Sequence, residues 1–134
     1  MRPIERIVVH HSASSRETTL EQIDSWHRAR GWDGVGYHLV VLGDGHIVQG
    51  RDLEKKGAHA KGYNQRSIGV CVVGDNTDPG NEWSFPQKVA LRALLDLLRI
   101  LYPTADVVGH RDLPGAATAC PGVDIRSIVR RGVT

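Results

Sequence analysis

Cysteine is scarce in this chain, with only Cys71 and Cys120 among 134 residues. At most one disulfide is available, and without a signal peptide in view both thiols are expected to stay reduced. Long hydrophobic runs are missing too. The N-terminal MRPIERIVV holds an apolar run too short for a signal-peptide core, and no segment approaches membrane-spanning length. The expectation is synthesis in the cytoplasm, no membrane partner, and export by another route if the target lies outside. Charge of one sign is also lacking. Seventeen basic residues face 15 acidic ones for a net charge of +2, with one modest cluster at Arg126, Arg130 and Arg131. That balance argues against nucleic acid as a partner, although it does not oppose a polyanionic surface. No repeat, linker or low-complexity tract divides the chain. With 40% of residues apolar, residues 1–134 are expected to form a single domain with its own core.

Residues 5–10, ERIVVH, predict a first strand, and the Ser-rich HSASSRE predicts the loop that leaves it. Thr18 with Glu21 has the pattern of a capping box. Leu20, Ile23, Trp26 and His27 recur at helical spacing, so a helix ending near Gly31 is expected, with Trp26 in the core and His27 at its margin. HLVVL, an Asp-Gly turn and HIVQG predict a hairpin with His46 exposed at the edge. Residues 51–66 carry no sustained period and predict a long surface loop suited to binding. IGVCVVG is a continuous apolar run, the pattern of a strand covered on both faces, which makes Cys71 a core residue. Ser84 with Gln87 forms a second box, followed by a stripe of Leu91, Leu94, Leu95, Leu98 and Leu101. ADVVGH reads as the last strand, and Asp124 caps a short helix presenting Ile125, Ile128 and Val129. The order of these elements predicts an α/β domain, a central mixed β-sheet flanked by about three helices.

Strand ends gather along one edge of such a sheet, which gives His10 and His110 a common place. Cys120 follows His110 through a loop rich in Gly, Pro and Ala, where a thiol has little core to fill. Two imidazoles and a thiolate suit Zn2+, whose catalytic sites usually take three protein ligands and leave a fourth position open. Spacing alone is a weak signal, since no pair has the short interval of a zinc finger or the helical repeat of HExxH. The plainer alternative is that both histidines simply end strands with their rings hydrogen-bonded, and that Cys120 is a loop thiol.

Four stretches in this order carry a resemblance: VVHHSAS, WHRARGWDGVGYHLVVLGDGHIVQGRD, GAHAKGYNQRSIGVCVVG and GHRDLPGAATACPG. Together, from about residue 7 to residue 129, they resemble the zinc-dependent N-acetylmuramoyl-L-alanine amidases of the second type. The similarity is to small single-domain phage endolysins and, more distantly, to animal peptidoglycan recognition proteins. It implies a fold of that type and cleavage of the amide between the lactyl group of muramic acid and L-alanine of the stem peptide. Bacterial peptidoglycan is then the partner, reached from the cytoplasm through a holin-type pore by a monomer.

The resemblance further implies a metal site of His10, His110 and Cys120, with His11 turned to the opposite face of the strand. Tyr37 and Thr118 fall on catalytic positions, and His59 and Asn64 on positions lining the substrate groove. His38 is left as a strand histidine, and Arg111 and Asp112 as residues that order their loop. Many phage members carry lysine where this chain has Thr118, which can donate a hydrogen bond but brings no positive charge. Some members only bind muropeptides, and some phage amidases also bind and inhibit a phage RNA polymerase. Both remain alternatives, and within the enzyme class so does a cytoplasmic recycling amidase acting on soluble anhydro-muropeptides.

Overall fold

The computed structural model describes residues 2–133, with side chains described up to Val129; those of Arg130 and Arg131 in the basic cluster lie outside this range. Five strands form one sheet: β1 (Arg6–His11), β2 (Leu39–Val41), β3 (Ile47–Gln49), β4 (Ser67–Val72) and β5 (Asp106–Gly109), in the order β3-β2-β4-β1-β5. β1 runs parallel to both β4 and β5, β2 runs parallel to β4, and only the β2–β3 hairpin is antiparallel. The sheet is therefore mixed, and the C-terminal ends of its four parallel strands share one edge. Three helices flank it: α1 (Leu20–Ala29), α2 (Phe85–Leu101) and α3 (Ile125–Val133).

Alternation along β1 decides which side chain serves which face. Ile7 and Val9 join Ile68, Val70 and Val72 of β4 in the larger core, where Leu91, Leu94, Leu95 and Leu98 of α2 and Ile125 of α3 close over them. Leu91 and Leu98 are almost wholly enclosed, and burying each such side chain contributes roughly 1.5–3 kcal/mol. On the opposite face Ile23 of α1 packs with Val40, Cys71 and Val73. Every residue of β4 is buried, as its unbroken apolar run predicts.

Gln87 ties α2 to the sheet. Its carbonyl oxygen accepts from Ser84 N–H at 2.9 Å, completing the capping box, while its amide donates to Val73 O at 2.6 Å. Three expectations need correction. The first helix is capped by Thr19 with Gln22, one residue later than predicted. TTLEQ contains two overlapping boxes, and the buried Thr18 hydroxyl already donates to Ser14 Oγ at 2.9 Å. Trp26 is 46% exposed, because the α1 stripe facing the core runs through Ile23 and His27 and leaves position 26 on its flank. Leu101, 54% exposed, ends the α2 stripe after the helix has passed the sheet.

Candidate metal centre

His10 occupies the penultimate position of β1, level with Cys71 of β4, with its ring on the α1 side of the sheet. His11 faces the other way, where its Nδ1 accepts from Asn76 N–H at 3.2 Å. β5 ends one residue before His110, which opens a short 3-10 turn (His110–Asp112). Asp112 holds that turn by accepting from Gly109 N–H at 2.9 Å, and Arg111 N–H donates to Cys120 O at 2.7 Å. The second bond folds the loop back so that Cys120 returns to the strand ends. Asp112 and the Arg111 backbone thus order the loop through main-chain groups.

This folding brings His10, His110 and Cys120 together, with one donor atom from each lying within 4.8 Å of the others. Cys120 Sγ is 3.7 Å from His10 Nδ1, and the His10 and His110 ring centroids are 4.6 Å apart. Zn–N bonds of about 2.0–2.1 Å and a Zn–S bond of about 2.3 Å call for donors separated by somewhat under 4 Å. The set therefore fits a tetrahedral ion after small rotamer adjustments. Burial lowers the basicity of both imidazoles, well below the usual range for His10, which is further depressed by His59 and His110. Both rings thus present lone pairs and not charges. Burial pushes the Cys120 thiol up to about 11, so its proton has to be displaced by an arriving cation.

Around the donors lies a groove of about 240 Å³ whose walls include Tyr37, Thr118, His27, Arg30 and Trp32. His110 and Thr118 also border a second recess of about 280 Å³, and Trp32 and His59 a third of about 410 Å³. Each recess shares lining residues with the groove around the donors. The Tyr37 ring centroid is 5.1 Å from that of His10. Burial first, then Cys71 and Cys120, raises its phenol well above the ordinary value, so it remains a hydrogen-bond donor at any working pH. Thr118 is exposed in the same groove, and its Oγ1 accepts from Cys120 N–H at 3.1 Å.

His59 borders the groove and Asn64 the third recess, and both ring nitrogens of His59 and the carboxamide oxygen of Asn64 are engaged by the protein. His59 Nδ1 is 2.9 Å from His10 Nε2, and Asn64 Oδ1 accepts from the N–H groups of His59 and Ala60, each at 2.9 Å. His38 is fully buried; its Nδ1 accepts from Gly69 N–H at 2.9 Å and its Nε2 lies 2.7 Å from Lys55 O. Sequence reasoning passed over Arg30 and Trp32, where a guanidinium sits 5.3 Å from the indole centroid. A tryptophan in a Gly-rich link, with no periodic neighbours to bury it, was the available signal. His27 was placed at the core margin, and it also supports the Tyr37 segment, its Nδ1 accepting from Gly36 N–H at 2.8 Å.

At the edge where the parallel strands end, two imidazoles and a thiol line an open groove and form a cluster that could hold a metal ion. The chain belongs to the Amidase_2 family, N-acetylmuramoyl-L-alanine amidase, which matches residues 1–123. It is 41% identical over 129 residues to an endolysin of Enterobacteria phage K11, covering 92% of this chain and 84% of that one. An endolysin of Escherichia phage T7 is 40% identical over 125 residues, covering 90% and 82%. Among solved structures, the endolysin N-acetylmuramoyl-L-alanine amidase LysCS from Clostridium intestinale URNW superimposes with a TM-score of 0.87 at 32% identity, covering 97% of this chain and 84% of that one. The activity is that of an endolysin-type amidase, and its substrate is peptidoglycan.

Proposed function

We propose that residues 1–134 act as one catalytic domain that uses a single Zn2+, held by His10, His110 and Cys120, to cut the lactyl–L-alanine amide. The convergence of the three donors within 4.8 Å in an open groove carries this reading. A bound zinc supplies Lewis acidity towards the scissile carbonyl and makes water a nucleophile near neutral pH. Tyr37 keeps its proton and donates a hydrogen bond to the carbonyl oxygen as that oxygen gains charge. Thr118 assists as a neutral donor, since its Oγ1 accepts from Cys120 N–H and its own proton remains available. Among the described residues lining the groove there is no Asp or Glu. The proton needed by the departing alanine amine is accordingly assigned to the attacking water.

The chain acts as a monomer, and it meets the wall after release through a holin-type pore. Among the described residues no helix is long and apolar enough to cross a membrane. Binding to a phage RNA polymerase would use an outer surface and coexist with catalysis; a pull-down with the cognate polymerase tests it. The amidase reading is tested by zinc content and by release of new N-terminal L-alanine from purified sacculi. Wild type is expected to hold about one zinc and release alanine, with Cys120→Ser losing both. Zinc binding without release from sacculi or soluble muropeptides would overturn it in favour of a binding module.

A further inference from the structure

His59 lies directly behind His10, and its hydrogen bonds have a direction that can be worked out from one end. The Ser67 hydroxyl is 2.7 Å from Tyr63 O, a carbonyl that can only accept, so its single proton is committed there. Ser67 Oγ is also 3.1 Å from His59 Nε2. With the serine proton already placed, that contact requires a proton on His59 Nε2. The neutral His59 ring then has a bare Nδ1, which can only accept from His10 Nε2–H across 2.9 Å. His10 in turn has its lone pair on Nδ1, the nitrogen 3.7 Å from Cys120 Sγ. A backbone carbonyl at the far end thus sets the tautomer of a proposed metal ligand three groups away.

The slot that holds His59 is built for an imidazole. A Cβ at Gly69 would lie 2.6 Å from His59 Cγ, and one at Gly57 would lie 2.5 Å from His59 Cδ2. Gly69 stands level with Val8 in the middle of the sheet. Its missing side chain leaves the space into which the ring is laid. Asn64 then fixes the main chain at both His59 and Ala60 through its carboxamide oxygen. Both ring nitrogens of His59 are thus taken up by the protein, and the groove is not its main polar partner.

We propose that His59 is a positioning residue for the metal centre: with Ser67 and the Tyr63 carbonyl it keeps His10 protonated on Nε2, so that Nδ1 faces the ion. Asn64 serves the same end by clamping the loop that carries His59. The proposal rests on the metal reading given above. It differs from a substrate-contact role in that removing His59 weakens zinc binding before any substrate is present. Loss of such an outer partner typically costs about 10–100-fold in metal affinity.

The test is zinc affinity by chelator competition on the full chain, without substrate. His59→Leu keeps an apolar group in the slot and should weaken zinc binding about 10–100-fold. His59→Asn places an acceptor near the former Nδ1 and should recover most of that loss. Nitrogen-15 NMR of histidine-labelled, zinc-loaded wild type should show His10 protonated on Nε2 and coordinated through Nδ1. Wild-type affinity in His59→Leu, or a His10 proton on Nδ1, overturns the proposal. Should His59→Leu fail to fold, the wild-type spectrum decides alone. Should wild type bind no zinc, the metal reading fails; the metal-free spectrum then reports separately whether the His59 chain sets the His10 tautomer.

Discussion

At the scale of single residues, the environment of each side chain decides its chemistry more than its type does. Tyr37 stays protonated because its surroundings disfavour the phenolate, and its proposed role is to donate to a developing oxyanion. Removing one such donor typically costs about 10²–10³ in kcat. Tyr37→Phe is therefore expected to lower the alanine-release rate by about that factor with zinc content unchanged. A loss of zinc in this variant would assign Tyr37 to the site's structure instead. His38 makes a different prediction. Burial lowers its pKa to about 4, below the ordinary value near 6.5. Above pH 6.5 the ring is neutral in both folded and unfolded chains. As pH falls towards 4 only the unfolded chain takes up the proton, so stability drops, by about 3 kcal/mol for a shift of this size. His38→Asn keeps an acceptor for Gly69 N–H, and urea unfolding at pH 7 and pH 5 should show a smaller loss on acidification than in wild type. An equal loss in both proteins would place the acid sensitivity elsewhere, His27 being the next buried imidazole with a pKa of about 4. Strand alternation puts His10 and His11 on opposite faces, and the resemblance is what singles out His10 as the ligand. It could not tell that His59 turns inward, since the space that admits its ring depends on Gly57 and Gly69, which meet only in the folded chain.

At the scale of elements, the groove is shaped by how closely loops approach strands. Gly36 lets the segment before Tyr37 lie against the loop of His59, with Ala58 N–H donating to Gly36 O at 3.0 Å. A Cβ at Gly36 would stand 2.1 Å from Ala58 O. Gly36→Ala is thus expected to push the two segments apart, costing about 1–3 kcal/mol as an overpacked contact does. It should also weaken zinc binding, because Tyr37 and His59 both pack against His10. Urea midpoints together with chelator competition check both effects, and a variant as stable as wild type would show that the contact relaxes freely. This dependence was hidden in the sequence, where residues 51–66 showed no period and read only as a binding loop. Periodic elements were legible for the opposite reason. α2 announces itself through its box and leucine stripe, because its partners repeat at the helical interval. Trp26 shows the limit of the same logic: spacing gives the stripe, but not how far round the helix burial extends, which here stops at Ile23 and His27.

At the scale of the whole molecule, the alternation of strands and helices together with one interrupting hairpin was enough to predict a mixed sheet, and the parallel strands bring distant sequence positions to one edge. The three donors come from the end of β1, the turn after β5 and a loop ten residues beyond it. A metal ion bound there would therefore join segments separated by about a hundred residues. The unfolded chain cannot hold them together, so binding to the folded state alone stabilises it by RT ln(1 + [Zn]/Kd), about 4 kcal/mol at a thousandfold excess over Kd. For a domain of this size that corresponds to a rise in Tm of roughly 10 °C or more. Calorimetry of wild type in chelator and with added Zn2+ is expected to show this difference. Cys120→Ser removes a thiolate and leaves the two imidazoles, so its Tm should respond far less at the same metal concentration. An equal Tm with and without zinc in wild type would mean that the cluster does not hold the ion at that concentration. A rise that survives in Cys120→Ser would instead move the binding site away from the strand edge, and the proposed ligand set would have to be abandoned.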